Sequence, residues 1–476
     1  MITDLKPYPA IKESGVLWLG EVPEHWKVRK LRNLLEPIAE RNQPDLPLLS
    51  VVREKGVIQR DTTSKEENRN FIPDDLSNYK VVQVGQFAMN KMKAWQGSYG
   101  VSQHEGIVSP AYFVFNLSGV GGEFFHPAIR SRAYVQFFAQ ASDGVRIGQW
   151  DLSQARMKEI PFFVPPLPEQ AAIVRFLDHV GRRIRRYIRI KQKLIKLLNE
   201  QKRAIIHRAV TRGLDPGVHL KPSGVEWLGD VPEHWEVAAL RHRYSQCLGK
   251  MLDSKRITGS HSLPYLRNTD VQWDRINVED LPTMDIPLAE YGRYAVQQGD
   301  LLVCEGGEVG RCAIWSSELA VCGFQKALHR LRPRNAGRDV PRFMYYALRT
   351  AANGNAFNDG HLSTIAHLTG DKLRAHRFPF PPVPEQESLV SFLDSQLNQV
   401  DQAVSTAGRE IALLREFRTR LIADVVTGKL DVREAAARLP EEAEEPELIE
   451  EADVVAEADE EVEDADLDAA PEEAEA

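Results

Sequence analysis

The sequence predicts an α/β protein of the α+β kind, made of two copies of one mixed domain with a long helix after each copy and an acidic segment at its end. Three observations support this fold class. Two stretches of sequence occur twice, a heptad pattern of apolar residues follows each copy, and the last 36 residues contain 19 acidic residues but no Lys or Arg. With 476 residues, of which 43% are hydrophobic, the chain is long enough for two or more domains.

The repeat marks the two edges of each copy. Residues 14–32 and 223–241 are identical at 14 of 19 positions, and residues 165–178 and 381–394 at 9 of 14 positions. A third pair, VTRGLD from Val210 and VTGKLD from Val426, follows the same order. The sequences between these edges differ, so the two copies share an ancestor but have diverged in their bodies.

Within each copy, short apolar runs alternate with Gly-rich turns, which predicts strands with a few helices. These patterns, together with the repeated edges, predict the following division: a first mixed domain at 1–165, a first long helix at 166–212, a second mixed domain at 213–381, a second long helix at 382–431, and a disordered acidic tail at 432–476.

Each long helix is predicted to begin at a Pro-Glu pair. Proline suits the first helical turn, and Glu169 or Glu385 suits the positive end of the helix dipole. The heptad template places apolar residues at most seam positions and predicts that both helices are coiled-coil partners. It assigns Tyr187 and Leu194 to the first seam and Glu410 to the second. The alternative is that each helix packs on its own domain.

Charge favours pairing of these two helices with each other. Residues 171–212 contain 13 Lys and Arg against two acidic residues, whereas residues 387–428 contain four Arg against six acidic residues. The arginines between Arg182 and Arg189 are too dense for pairing alone. They form either a solvated face or a surface that contacts phosphates or an acidic partner.

Several classes of function are excluded by what the sequence lacks. The Walker phosphate loop, the dinucleotide GxGxxG motif, the G-x-S-x-G elbow and HExxH are all missing. The four cysteines form no CxxC pair, and the 13 histidines show no metal-ligand spacing, so we expect structural thiols and no metal site. No apolar stretch is long enough for a membrane span and no signal peptide is visible, so we expect a cytoplasmic protein.

Two divergent domains, each followed by a long helix, resemble the specificity subunit of type I restriction-modification enzymes over residues 10–431. The resemblance is carried by the SGVxWLGxVPEHW stretches at Ser14 and Ser223, by PPLPEQ and PPVPEQ, and by VTRGLD and VTGKLD. NKMKAWQGSYGV from Asn90, EGIVSPAYFVF from Glu105 and GDLLVCEGGEVGRCAIW from Gly299 resemble parts of the family's target recognition domains.

The resemblance implies a non-catalytic subunit that reads double-stranded DNA. Each recognition domain would bind one half of an asymmetric bipartite target, and the long helices would form an antiparallel coiled-coil spacer between the halves. The family also implies two modification (methyltransferase) subunits and restriction (translocase/nuclease) subunits as partners. This chain would then need no cofactor, because S-adenosylmethionine, ATP and Mg would be bound by those partner subunits.

Candidate DNA contacts combine cations for phosphates with amides and hydroxyls for base edges. The alternative for each is an ordinary polar residue, or, for Trp95, a core residue. Trp18, Trp26, Trp227 and Trp235 occur in both copies and are therefore assigned to structure. The first domain offers Lys91, Lys93, Trp95, Gln96, Ser98 and Tyr99, then Arg146 and Gln149; the second offers Arg311, Gln325, Lys326, Arg330, His361, Ser363 and Thr364.

Three other functions stay open at this point. The chain could serve a methylation-only or other restriction assembly, it could be a coiled-coil scaffold whose domains bind protein, or it could be a nuclease with an unrecognised site.

The net charge of -8 hides a surplus of basic residues before Glu441, which number 60 against 49 acidic residues. We expect the acidic segment from Glu441 to compete with DNA for the basic helix.

Overall fold

The computed structural model describes residues 5–440 apart from 54, 61–71, 74, 145–149, 253–258, 355 and 358–366. The prediction of a disordered tail from residue 432 is wrong at its start, because Arg433–Ala437 form a helix and Val432 and Ala436 are buried. From Glu441 onward the prediction lies outside the described residues. The chain divides into two compact units, one formed by residues 1–185 and 415–476 and the other by residues 186–414. Each unit contains one copy of the mixed domain, the start of one long helix and the end of the other.

The first copy is a mixed domain of short strands and helices. It comprises β1 (Ile11–Glu13), β2 (Glu21–Pro23), β3 (Lys27–Lys30), β4 (Leu35–Ile38), β5 (Leu49–Val52), β6 (Gly56–Gln59), β7 (Lys80–Val82), β8 (Phe87–Asn90), β9 (Tyr99–Val101), β10 (Gly106–Val108), β11 (Tyr112–Leu117), α1 (Gly122–Ile129), α2 (Arg132–Gln140), β12 (Ser142–Asp143), β13 (Asp151–Leu152), α3 (Gln154–Glu159) and β14 (Pro161–Val164), and α4 (Leu167–Arg212) follows it.

The second copy has the same general order. It comprises β15 (Leu220–Pro222), β16 (Asp230–Pro232), β17 (Glu236–Ala239), α5 (Leu240–Arg243), β18 (Tyr244–Leu248), β19 (Ser262–Leu266), β20 (Val271–Gln272), β21 (Arg275–Ile276), β22 (Thr283–Asp285), α6 (Tyr291–Tyr294), β23 (Leu301–Cys304), β24 (Cys312–Ile314), β25 (Gly323–Phe324), β26 (Leu328–Pro333), α7 (Pro341–Asn353), α8 (Gly370–Ala375) and β27 (Arg377–Phe380), and α9 (Val383–Val426) and α10 (Arg433–Ala437) follow it.

Both copies contain the same four-stranded antiparallel sheet. Its strand order is β4-β11-β8-β9 in the first copy and β18-β26-β23-β24 in the second. The central strands β8 and β23 are buried along their whole length, as expected for strands packed on both faces. The predicted mixed fold is confirmed in both copies, and the shared strand order matches the shared ancestry that the sequence repeat indicates.

A two-stranded ribbon closes the body of each copy. In the first copy β3 pairs with β14, so that Lys30 lies opposite Pro161; in the second copy β17 pairs with β27, so that Ala239 lies opposite Arg377. The chain thus enters and leaves each domain body at adjacent positions.

The long helices α4 and α9 run antiparallel. Within the second unit, Lys191 Nζ lies 2.7 Å from Glu410 Oε2, and Lys202 forms an ion pair with Asp401, so residue numbers rise along one helix as they fall along the other. The predicted coiled-coil spacer and the predicted pairing of a basic with an acidic helix are confirmed. In each of these two pairs at least one partner is partly exposed, so the ion pairs specify alignment more than they add stability.

The predicted heptad period is correct, but the phase is wrong by one residue at alternate seam positions. On α4 the buried residue is Ile188, whereas Tyr187 is 51% exposed and Leu194 is 41% exposed. On α9 the seam uses Leu397 and Ile411 in place of their preceding residues. The heptad template assumes that successive seam residues are four and then three positions apart. On α9 the first three buried seam residues, Leu389, Leu393 and Leu397, are instead each four positions apart, and the alternation begins after them.

The repeated edges form a clamp at the start of each long helix, which we call the helix-start clamp. In the first copy Trp26 Nε1 donates to Glu169 Oε1 (2.8 Å), His25 Nε2 lies 2.6 Å from Glu169 Oε2, and the Tyr8 hydroxyl donates to Glu169 Oε1 (2.7 Å). Gln170 accepts from the backbone N–H of Gly121 (2.9 Å). This clamp explains why the HW and PEQ sequences were kept together.

The second copy repeats the helix-start clamp with one partner fewer. Trp235 Nε1 donates to Glu385 Oε1 (3.0 Å), and His234 Nε2 lies 2.8 Å from Glu385 Oε2. Gln386 accepts from the backbone N–H of Val340 (2.8 Å). Trp26 and Trp235 are each 1% exposed, which confirms their assignment to structure.

The far end of each long helix also reaches a helix-start clamp. After α9, Gly428 adopts φ +77°, and a Cβ there would lie 2.3 Å from Cδ of Pro23 and 3.3 Å from the Trp26 ring. After α4, Gly213 adopts φ +73°, and its Cβ would lie 3.4 Å from the Trp235 ring. Glycine is required at Gly428 both for the left-handed conformation and for this close approach.

One buried ion pair distinguishes the second copy. Arg243 donates through Nε and Nη2 to both carboxylate oxygens of Asp339 (3.1 and 2.7 Å), and the two side chains are 6% and 2% exposed. Burial raises the pKa of Asp339, although Arg243 opposes that shift. In the first copy, the buried Leu34 aligns with Arg243. The buried Val120 corresponds to Asp339, because the two residues directly precede Gly121 and Val340, the equivalent backbone donors of the two clamps.

Candidate nucleic-acid interface

The hairpin between β8 and β9 presents the candidate residues of the first copy. Lys93 is exposed, and Trp95 and Gln96 are half-buried in a short 3-10 turn that ends at Gly97 with φ +99°. The Asn90 carboxamide accepts from the backbone N–H of Met92 (3.1 Å) and so shapes the start of the loop. The loop therefore offers cationic, amide and aromatic groups near the end of a rigid strand pair.

Strand β13 supports this hairpin from one side. The backbone N–H of Leu152 donates to the carbonyl of Lys91 (3.1 Å), and the Lys91 ammonium lies 2.8 Å from Asp151. Trp95 packs on Trp150 with ring centroids 5.0 Å apart. Trp95 thus has a packing role, as the alternative interpretation allowed, and it holds Gln96 in place beside it.

Two candidate residues of this hairpin need correction. Ser98 is 2% exposed and Tyr99 is fully buried, with its ring 4.4 Å from that of Phe138. In this conformation their side chains cannot contact a bound duplex. The local pattern is ambiguous here, because Tyr99 begins the buried strand β9 directly after an exposed loop.

The equivalent hairpin of the second copy lies between β23 and β24 and differs in chemistry. Its tip contains the exposed Glu308 and the half-buried Glu305 where the first copy has lysines. Arg311 points inward: its Nη2 donates to the carbonyl of Asn268 (3.0 Å), and its guanidinium is 13% exposed. Asn268 Nδ2 in turn donates to the carbonyl of Gly306 (3.0 Å), so Arg311 positions the loop.

The remaining described candidates lie at the turn between β25 and β26. Lys326 is exposed and Gln325 is half-buried, so both can contact a ligand at the surface. Arg330 is 7% exposed, donates to the carbonyl of Ala295 (2.8 Å) and lies over the Phe324 ring at 5.7 Å. Arg330 therefore belongs to the core of this sheet, which corrects its prediction as a DNA contact.

The other five candidates lie outside the described residues and stay predictions. They are Arg146, Gln149, His361, Ser363 and Thr364.

Glu305 and Glu308 were not among the sequence-based candidates, although they occupy the same hairpin tip as Lys91 and Lys93. The signal was available in the sequence, because both hairpins follow a Gly-polar pair, Gly85-Gln86 and Gly299-Asp300. In each pair the polar side chain accepts from a backbone N–H three residues earlier, at 2.8 and 2.7 Å. Aligning these turns would have brought the two hairpins into register.

The described part of the chain holds no group of three or more His, Cys, Asp or Glu residues arranged to bind a metal ion. Three of the four cysteines are buried, and burial raises the pKa of Cys304 to about 11 and that of Cys322 to about 12. Such thiols are protonated and unreactive at neutral pH, as structural cysteines are. None of the described helices is long and apolar enough to span a membrane.

Comparison with known proteins gives a match to a family model. Residues 247–404 match the model of the type I restriction modification DNA specificity domain. The putative type I restriction enzyme MjaX specificity subunit of Methanocaldococcus jannaschii is 20% identical over 443 residues, which cover 87% of this chain and 96% of that protein. The EcoKI specificity subunit of Escherichia coli is 21% identical over 72% of this chain and 70% of its own length.

The chain is similar to type I restriction-modification specificity subunits over most of its length. The fold agrees with this family. A solved chain of a type I R-M system aligns with a TM-score of 0.63 at 17% identity over 86% of this chain and 99% of its own length. The HsdS subunit of Thermoanaerobacter tengcongensis aligns with a TM-score of 0.51 at 18% identity, covering 88% of this chain and all of that one.

The region matched by the family model contains the second hairpin and the start of α9. Arg311, Gln325, Lys326 and Arg330 all lie within residues 247–404. The family match therefore covers the sheet that carries these candidates, while the choice among them depends on the geometry above.

Proposed function

We propose that this chain is the DNA-recognition subunit of a type I restriction-modification assembly and reads an asymmetric bipartite target. One observation carries the proposal: the same four-stranded sheet occurs twice with the same strand order, but its hairpin tip contains Lys91 and Lys93 in one copy and Glu305 and Glu308 in the other. Lysines favour phosphate oxygens and base acceptors, whereas carboxylates accept from the exocyclic amino group of cytosine.

The antiparallel helices supply the spacing between two half-sites. In an antiparallel pair, the start of one helix lies beside the end of the other. At 46 residues, α4 is about 70 Å long. A gap of this kind suits a bipartite target, because two-fold DNA-binding proteins read half-sites about one helical turn or a multiple of it apart.

We assign the chemistry to other subunits. Methyl transfer from S-adenosylmethionine would belong to two modification subunits, and ATP- and Mg-dependent translocation and cleavage to restriction subunits. Together with its partners the chain would act in the cytoplasm, where cellular DNA is accessible to it. Purification of a tagged chain with its associated proteins tests this composition, and a methyltransferase without a translocase would indicate a methylation-only assembly.

The decisive experiment exchanges one domain body. Residues 35–160 are replaced by the corresponding body of a known specificity subunit, which leaves β3, β14 and the side chains that contact Glu169 in place. Single-molecule sequencing then reads the methylated sites in cells that contain the modification subunits. We expect one half of the target to change and the other half, together with the gap, to stay the same.

The matched control exchanges residues 240–376, so that Arg243 is replaced together with its partner Asp339, and it should change the opposite half. If neither exchange altered the methylated sequence, DNA recognition by these domains would be wrong. A scaffold whose domains bind protein would leave methylation unaffected in both cases.

The hairpin of the first copy gives a quantitative prediction. Replacing Lys91 and Lys93 with glutamine should reduce the slope of log K against log salt by about 0.9 for each phosphate that is no longer neutralised, and thus by about 1.8 if both lysines bind phosphates. The measurement is a fluorescence-anisotropy titration of the assembled complex over a salt series. The matched control is K158Q/K429Q, which removes the same charge elsewhere and should leave the slope unchanged.

A further inference from the structure

A row of arginines follows one face of α4. Because an α-helix has 3.6 residues per turn, positions 7, 11 and 14 residues after Arg175 return to nearly the same face. These positions are Arg182, Arg186 and Arg189, and we call the four residues the arginine row. Arg182 and Arg186 are exposed. The row therefore presents a line of guanidinium groups along an uninterrupted helix.

Further positive charge surrounds the row. Arg183 and Arg185 are exposed on the same helix, and burial and the nearby charge of Arg185 lower the pKa of Arg418 on α9. Between residues 171 and 199, Asp178 is the one acidic residue of α4. A helix face with this density of positive charge attracts anionic ligands.

The last described segment of the chain is attached at the start of this row. The Arg175 guanidinium donates to the backbone carbonyls of Leu439 (3.0 Å) and Pro440 (3.2 Å). Val432, Ala436 and Leu439 are buried, so this attachment is a packed one. The acidic segment thus begins at the first arginine of the row.

Length and charge make the acidic segment a suitable ligand for the row. It has 36 residues with 19 carboxylates and no basic side chain. Extended, it could span about 120 Å, whereas the row from Arg175 to Arg189 is about 21 Å long. Because the segment is tethered at the start of the row, its effective concentration there is high.

We propose that the arginine row binds the acidic segment 441–476 of the same chain. The row is then an internal anion-binding surface, and any other polyanion must displace the segment before it can bind there. This proposal does not depend on which macromolecule the recognition domains read.

The test is a direct binding measurement with a labelled peptide of residues 441–476. It is titrated with the natural chain and with a full-length chain in which every Asp and Glu of that segment is replaced by its amide. We expect the amide-substituted chain to bind the peptide, and the natural chain to bind it at least about tenfold more weakly, because its own segment occupies the row. Binding should weaken as salt rises.

A second pair of variants locates the site. In the amide-substituted chain, R182Q/R186Q should weaken peptide binding about tenfold, whereas K196Q/R203Q, which removes equal charge farther along α4, should change it by less than about threefold. Equal binding by the natural and amide-substituted chains would overturn the proposal. Equal effects of the two double substitutions on peptide binding would also overturn it. The same holds if the natural chain bound the peptide weakly only at high protein concentration, since a second copy would then supply the segment.

Discussion

Replacing Glu169 with alanine is expected to lower the free energy of unfolding of the first unit by about 3 to 5 kcal/mol. The carboxylate is 5% exposed and accepts from Trp26 and Tyr8 while it also pairs with His25. Truncation leaves the buried donors of Trp26 and Tyr8 without a partner, and each such group costs about 1 to 3 kcal/mol. Urea unfolding of the full-length chain measures this loss of free energy from the first unfolding transition.

The second copy provides the matched control. E385A removes the equivalent carboxylate, but Glu385 is 30% exposed and has no counterpart of Tyr8 among its described hydrogen bonds. Water can replace part of the missing hydrogen bonding, so we expect a cost of about 1 to 2 kcal/mol. Equal losses of stability for E169A and E385A would contradict the assignment of the larger burial penalty to Glu169.

Single substitutions in the buried pair of Arg243 and Asp339 should lower the free energy of unfolding strongly, whereas the double substitution should change it little. D339V or R243L alone is expected to cost about 3 to 5 kcal/mol, because each breaks the buried pair by removing one of its two partners. The double substitution R243L/D339V should lie within about 1 kcal/mol of the natural chain. Thermal and urea unfolding of the three variants form a double-mutant cycle that measures the coupling.

The small effect expected of the double substitution is based on the residues that the first copy has at these positions. It carries Leu34 and Val120, both buried, at the positions equivalent to Arg243 and Asp339. The equivalent positions therefore carry buried apolar residues in one copy and an ion pair in the other. A double variant as unstable as the singles would mean that Glu236 and Arg338, which also bond to Arg243, hold the pair in a network that cannot be replaced.

The large elements of the fold could be predicted because their signals are repeated or long. The helix starts near Pro168 and Pro384 agree with the structure to within one residue. The heptad phase was missed because several positions, such as Tyr187 and Ile188, offer two adjacent apolar residues of similar size. Periodicity cannot choose between such neighbours, and the choice depends on the helix that packs against them.

The sequence predicts the exposure of the candidate contacts only in part. Lys93 and Lys326 are exposed, as a phosphate contact requires, whereas Tyr99 and Arg330 are buried. Arginine is rarely buried, and sequence alone does not reveal that Arg330 lies over Phe324 and donates to a backbone carbonyl. The acidic tip at Glu308 was missed because a search for basic groups ignores carboxylates that can read cytosine.

The ribbons that close the two domain bodies have an evolutionary consequence. Since Lys30 lies opposite Pro161, and Ala239 opposite Arg377, each body is an insertion whose two ends meet. Genetic recombination within the repeated edges can therefore transplant a whole body between genes without breaking the helices or the carboxylates that anchor them. Such exchange would generate new specificities in single steps, and it explains why the edges stay alike while the bodies diverge.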